Sequence, residues 1–370
     1  MDHPLPGKIA GKPRILVAPL DWGLGHATRC IPLIRELMAQ GADPWLAGEG
    51  AQEQLLKTEF PQLPFLHLPG YRIRYAKTGR GLVWKMIVQG PKMRRAIQYE
   101  HRWLKKTQTQ YEFDAVISDN RYGLYHKKIP CVFITHQLHI KSSWGAWTER
   151  FLQKRNYNYI NRFTGCWVPD VEGENNLAGI LSHPEKRPAI PIHYIGSLSR
   201  FEKRDRKEIK GQLLFLLSGP EPQRTILENK IIAEIAHYNG TANIIRGLPG
   251  NPSLVPSTNM IKFYNHLPAD ELATLMQEAE YVISRSGYST IMDAMALQKK
   301  CIFIPTPGQT EQEWLAVWLG KKGMASIEMQ GTFSIDAALD KARQYNYKLP
   351  GVSVDNKLKD VVRNLLSLTR

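Results

Sequence analysis

Between Tyr281 and Glu313 the chain reads YVISRSGYSTIMDAMALQKKCIFIPTPGQTEQE, an order that leaves the fold little freedom. An apolar run, Tyr281-Val282-Ile283, meets Ser284-Arg285-Ser286-Gly287. Tyr288, Ser289 and Thr290 then lead into a helical pattern carried by Ile291, Met292, Ala294, Met295 and Leu297. That is a strand, a tight glycine turn and a helix. The first amides of such a helix have no carbonyl before them in the helix, and an end of that kind attracts an anion, typically a phosphate. Asp293 is read on about the first turn, placed to accept hydrogen bonds from ribose hydroxyls. A second strand, Cys301 to Ile304, ends in Pro-Thr-Pro-Gly and delivers Glu311 and Gln312, polar groups suited to sugar hydroxyls. A glycine turn alone is weak evidence; the ordered set reads as the parts of a nucleotide-sugar site.

The rest of the chain agrees with an α/β reading. Its 370 residues exceed one ordinary core and suit two domains. Strand-like and helix-like segments alternate throughout, as in parallel sheets with helices between strands. Arg14 to Leu20 is a buried-strand run closing in Asp-Trp-Gly-Leu-Gly-His, followed by a helix over Ala27 to Ala39 that Gly41 stops. Further strands are expected at Trp45–Ala47, Phe65–Leu68, Ala115–Ser118, Val132–Thr135 and Cys166–Val168. The charged segment Leu198–Gly211 reads as a linker. Strands at Gln212–Leu217, Ala242–Ile245, Met260–Tyr264, Tyr281–Ser284 and Cys301–Ile304 make a second set. Expected boundaries are 1–198, 199–350 and a terminal helix over 351–370. The two halves read as doubly wound Rossmann-like domains, with ligand sites expected at the carboxyl ends of the strands.

No run approaches eighteen uncharged apolar residues, and the start MDHPLPGKIAGKPR has no apolar core of a secretory signal. Cys30, Cys131, Cys166 and Cys301 are far apart and form no C-x-x-C pair, so neither disulfides nor a zinc site is expected. A reduced, cytoplasmic protein is the expectation.

Gly23-x-Gly25-His26 closes the first strand and opens the first helix. His26 there is either a polar cap or a neutral base, since the positive end of a helix disfavours its protonation. Asp119, just past the strand Ala115–Ser118, is either a loop acid or a partner for that histidine. His136 and Gln137 follow Val132–Thr135 and are candidates for the acceptor side, a satisfied buried imidazole being the alternative for His136. Ser218-Gly219 forms a second glycine turn, and Arg224 and Arg285 are cations near the two turns. Trp22, Trp84, Trp144 and Trp147 are stacking candidates or simply core.

These motifs resemble the GT-B glycosyltransferases, most of all the bacterial N-acetylglucosaminyltransferases of lipid-linked peptidoglycan precursor synthesis and the UDP-glycosyltransferases. Their S-R-x-G-x-x-T-x-x-E stretch is matched by Ser284, Arg285, Gly287 and Thr290. Asp293 stands where the ribose-binding Glu sits, one methylene shorter, and Glu311-Gln312 match the following (D/E/Q)-Q. The resemblance implies that His26 deprotonates the acceptor and that Asp119 holds its second nitrogen, although Asn120-Arg121 depart from the pattern. It further implies that Gly25, Ser218, Gly219, Arg224, Arg285, Ser286, Gly287, Tyr288, Ser289, Thr290, Asp293, Glu311 and Gln312 contact the donor, with Phe263 in the loop that reads the base.

The expected activity is metal-independent, inverting transfer from a nucleotide-sugar, with UDP as the nucleotide, to an acceptor hydroxyl. No cofactor beyond this co-substrate is expected. A sugar-nucleotide 2-epimerase and a non-catalytic nucleotide-sugar binder are the alternatives. The net charge of +15 is concentrated between Tyr71 and Thr109, where eleven basic residues face one acid, Glu100, with Trp84 and Trp103 interleaved. That stretch fits a helix on an anionic membrane, with a lipid-linked acceptor, or a solvated basic face. No helix-turn-helix, zinc finger or RNP-like pattern supports nucleic acid.

Overall fold

The computed structural model describes residues 8–71, 90–142, 144–248, 252–253, 255–351 and 357–369. They fall into two units. Unit 1 contains the described residues up to Leu198 together with 357–369; unit 2 runs from Ser199 to Gly351.

Unit 1 holds a seven-stranded, all-parallel sheet. Its strands are β1 (Arg14–Pro19), β2 (Asp43–Gly48), β3 (Phe65–His67), β4 (Ala115–Asp119), β5 (Cys131–Ile134), β6 (Gly165–Val168) and β7 (Ile192–Tyr194), in the order β3-β2-β1-β4-β5-β6-β7. Residues of β1, β4 and β5 are buried throughout, which is why these strands read as unbroken apolar runs rather than alternating ones. The helices are α1 (Leu24–Ala39), α2 (Gly50–Glu59), α3 (Gly90–Tyr111) and α4 (Ala146–Ile160).

Helix α1 starts three residues earlier than its apolar stripe indicates, because Gly23, at φ +79, turns the chain directly off β1. His26 therefore lies within the first turn, not at a capping position. Helix α3 buries Ile97, Glu100, Leu104 and Thr107, a stripe at i, i+3, i+7, and exposes Lys92, Arg94, Arg95, Arg102, Lys105 and Lys106. The remainder of the basic stretch, residues 72–89 with Trp84, lies outside the described residues.

Unit 2 holds a six-stranded parallel sheet, β8 (Ile209–Leu216), β9 (Thr241–Ile245), β10 (Ile261–Tyr264), β11 (Ala279–Ser284), β12 (Cys301–Phe303) and β13 (Ser326–Ile327), ordered β10-β9-β8-β11-β12-β13. Its helices are α5 (Gln223–Ile235), α6 (Ala269–Glu278), α7 (Tyr288–Ala296), α8 (Thr310–Lys321) and α9 (Ile335–Gln344). Strand β8 begins inside the segment read as linker, where Ala279 of β11 pairs with Ile209. A last helix, α10 (Lys357–Ser367), belongs to unit 1. It packs on α1, and Gln40 Nε2 donates to the Lys359 carbonyl at 2.8 Å. Both sheets carry the doubly wound strand order, reversing beside β1 and beside β8.

Candidate active site

In unit 1 the chemistry collects at the carboxyl edge of the sheet, where β1, β4 and β5 are neighbours. Strand β4 ends on Asp119, β5 is followed by Thr135-His136, and the turn after β1 starts α1 with His26. The His26 Nδ1 lies 3.2 Å from Asp119 Oδ2. Asp119 is fully buried, while the His26 side chain keeps 15% exposure, enough for its ring to be reached.

Arg29, three residues past His26 on the same face of α1, completes the group. Its Nε donates to Asp119 Oδ2 at 2.8 Å and its Nη2 to Asp119 Oδ1. Nη2 also lies 2.9 Å from His26 Nδ1, and Nη1 3.2 Å from His136 Nδ1. Burial opposes charge on Asp119, but Arg29 and His26 overcome it and hold the carboxyl well below the ordinary carboxylate range. Burial lowers the basicity of His26; Asp119 opposes this, Arg29 and His136 reinforce it, and the net direction is down. The result is an imidazole that stays neutral near pH 7 with a carboxylate at its back. Arg29 had no assigned role in the sequence. The legible signal was a charged residue inside an otherwise apolar helical stripe, one turn beyond the histidine.

Gln137 is half-buried, and its carbonyl accepts from Asn156 Nδ2 at 3.2 Å. Trp22 packs beside Leu20, Tyr71 and Ile97. Trp144 and Trp147 are exposed, 50% and 77%, with Phe151 at 54% stacked on Trp147. Behind the edge, Arg121 is fully buried. It donates to the Pro19 carbonyl at 2.7 Å and to Glu100 Oε1 at 3.1 Å.

In unit 2, α7 leaves β11 through Arg285-Ser286-Gly287. Its N-cap is Gly287, which has no side chain to cap the helix, and its first turn, formed by Tyr288, Ser289 and Thr290, contains no acid. Gly287 has an ordinary φ, and a Cβ there would meet no atom within 4 Å. Neither backbone nor packing asks for glycine; the open space before the helix end is what a side chain would fill. The Ser218-Gly219 turn lies alongside. Gly219 has φ +102, and a Cβ on it would come within 3.4 Å of Thr306 Oγ1, just beyond β12.

Several donor-side expectations change. Arg224 is tied to Glu221 at 2.6 Å and to Glu228 at 3.0 Å, so its charge is met within the protein. Arg285 is 1% exposed and donates to the carbonyls of Gln223, Ile304 and Pro305. Burial lowers its pKa to about 10. It pairs with no acid among the described residues and acts as a buried positive charge, not as a contact. Ser286 Oγ is buried and donates to the Gln312 carbonyl, while Gln312 Oε1 accepts from the Thr306 amide, so both side chains brace the turn.

Asp293 lies on the second turn of α7, not the first. Its Oδ1 accepts from Ser199 Oγ at 2.8 Å and its Oδ2 is 3.9 Å from Arg200 Nε; burial raises its pKa to about 6 against these partners. Phe263 lies within β10, and its amide donates to Ser257 Oγ at 2.9 Å. Glu311 is half-buried on the first turn of α8.

Residues 256–356 match the model of the glycosyltransferase family 28 C-terminal domain, the stretch that contains the α7 turn and Glu311-Gln312. The chain is a GT-B glycosyltransferase. It is similar to an uncharacterized glycosyltransferase of Methanosarcina acetivorans, 24% identical over 81% of this chain and 79% of that one. It is also 23% identical, over 85% of each chain, to the UDP-N-acetylglucosamine--N-acetylmuramyl-(pentapeptide) pyrophosphoryl-undecaprenol N-acetylglucosamine transferase of Haemophilus ducreyi. The crystal structure of the glycosyltransferase SnogD from Streptomyces nogalater superposes with a TM-score of 0.62 over 97% of this chain and all of that one, at 15% identity, a likeness of fold. Within this GT-B chain the two glycine turns fall in unit 2 and the histidine edge in unit 1.

Proposed function

We propose that this glycosyltransferase takes a UDP-sugar in unit 2 and transfers the sugar, with inversion, to an acceptor hydroxyl bound by unit 1. His26 Nε2 takes the acceptor's proton as its oxygen attacks the anomeric carbon. The bond to the diphosphate breaks and UDP leaves with both electrons, its charge met by the α7 N-terminus and the buried Arg285. Asp119 stabilises the imidazolium that forms. The base and the leaving-group charge are both provided for by side chains and backbone, so the reading requires neither metal nor resident cofactor.

The observation that carries the donor assignment is the glycine turn into the acid-free start of α7, with open space where a Gly287 side chain would lie. Gly287→Val fills that space without straining the backbone, and UDP affinity should fall below detection while the thermal unfolding profile persists. Calorimetric titration of both proteins with UDP is the check. A folded variant that binds UDP as the wild type does would refute the placement.

The acceptor proposed is lipid-linked, at the cytoplasmic face of a membrane. The name of the Haemophilus relative gives it a pyrophosphoryl-undecaprenol acceptor. In this chain Trp144, Trp147 and Phe151 stand exposed beside the exposed bases Arg150, Lys154 and Arg155, an aromatic and cationic surface suited to an anionic leaflet. No helix among the described residues is long and apolar enough to cross a membrane, so attachment would be peripheral. The protein should co-sediment with phosphatidylglycerol vesicles at low salt and much less with phosphatidylcholine or at high salt. Trp147→Ala/Phe151→Ala should abolish sedimentation and spare UDP binding. Full recovery of the wild type in the supernatant with phosphatidylglycerol would sink the idea.

A further inference from the structure

We propose that Arg29 is a positioning residue that sets the tautomers of both histidines at the unit 1 edge, making His136 a hydrogen-bond donor and His26 a base held in partial reserve. This rests on reading His26 as the base, but its test does not. A guanidinium has donors and no acceptor, so an imidazole nitrogen bonded to it must present its lone pair. Nη1 of Arg29 lies 3.2 Å from His136 Nδ1. The neutral His136 ring therefore carries its proton on Nε2 and cannot accept one there. The two histidines of this edge are thereby given different work by one side chain.

His26 is contested. Its Nδ1 faces Asp119 Oδ2 at 3.2 Å and Arg29 Nη2 at 2.9 Å, and one nitrogen cannot serve both. Bonded to Asp119, Nδ1 carries the proton and Nε2 is a base. Bonded to Arg29, Nδ1 accepts, the proton sits on Nε2 and the ring cannot deprotonate anything. The contacts are of similar length, so the neutral ring divides between the two forms. Once Nε2 gains the acceptor's proton, only the Asp119 bond survives, because an imidazolium Nδ1–H repels the guanidinium. Arg29 keeps its side-on grip on Asp119 through Nε and Nη2 in either case, so the carboxylate does not move. The charged and titratable groups facing His26 are Asp119 from β4, Arg29 from α1 and His136 after β5; the Cys30 thiol of α1 contacts Asp119 Oδ2 at 3.8 Å.

The test is nitrogen-15 NMR of histidine-labelled full-length protein without substrate, signals being assigned with His26→Gln and His136→Gln. In the wild type His136 should show the Nε2–H tautomer, and the two His26 nitrogens should resonate between the pyrrole and pyridine limits. Arg29→Lys keeps the charge but cannot reach all three partners. His26 should then move to the Nδ1–H form, and His136 should lose its fixed tautomer. Arg29→Gln should in addition raise the His26 pKa, because a neighbouring positive charge that lowers it is lost. If Arg29→Gln fails to fold, the wild-type and Arg29→Lys spectra still decide. A wild-type His26 wholly in the Nδ1–H form and unchanged in Arg29→Lys, or a His136 protonated on Nδ1, would overturn the proposal. Normal turnover of a His26→Ala protein would instead remove the base and leave these tautomers as measured.

Discussion

Replacing His26 by alanine should lower turnover by about 100-fold or more, the scale of losing a general base, with UDP affinity nearly unchanged. The two readouts separate because His26 belongs to unit 1, whereas the α7 turn proposed for the diphosphate belongs to unit 2. The wild type carries a matching pH signature. Burial holds the His26 pKa below its ordinary 6.5, and the neutral ring is the active form. Turnover should accordingly fall on the acid side with a midpoint below 6.5. An acid limb centred above 6.5, or a His26→Ala enzyme with near-normal turnover, would leave the base elsewhere.

The largest expected loss of stability follows Arg121→Met. Arg121 is fully buried, and its partner Glu100 is 1% exposed. Glu100 also accepts from the Tyr71 hydroxyl at 2.8 Å and the Gly123 amide at 2.9 Å. Burial pushes its carboxyl up to about 7 even with Arg121 beside it. Removing one member of a buried ion pair costs about 3–5 kcal/mol, because the other charge is stranded. The Pro19 and Pro69 carbonyls would lose their donor as well. Chemical denaturation of unit 1 should show this, and Arg121→Met/Glu100→Gln should regain part of it, since no buried charge remains. A single variant within about 0.5 kcal/mol of the wild type, the ordinary range of a surface change, would refute the account.

Apart from the short edge strands β7 and β13, the strands were legible because both sheets are parallel, so they appear as apolar runs bounded by glycine turns. His26 and Asp119 were legible as residues following strands, and the structure brings them within 3.2 Å. The protein partners of several donor-side candidates were not legible. Arg224, Phe263 and Asp293 were placed by position along the chain, and position does not reveal which neighbours engage a side chain. Glu221 and Glu228 take Arg224, Ser257 takes the Phe263 amide, and Ser199 takes Asp293, the last across 94 residues of sequence. Arg29 was missed for the converse reason. A charge in a buried helical stripe has meaning only once Asp119, 90 residues on, is known to face it.

Helix α10 has a consequence for how the protein is made. Its buried face of Val362, Leu365 and Leu366 belongs to unit 1 and packs on α1, although all of unit 2 separates them in the chain. During synthesis the helix that carries His26 emerges early and waits without its covering partner until more than three hundred further residues have followed. The described residues of unit 2 come from one later stretch of the chain, Ser199 to Gly351, and emerge before α10 does. The unit that carries His26 is thus completed last, after the described residues of unit 2 have all been made.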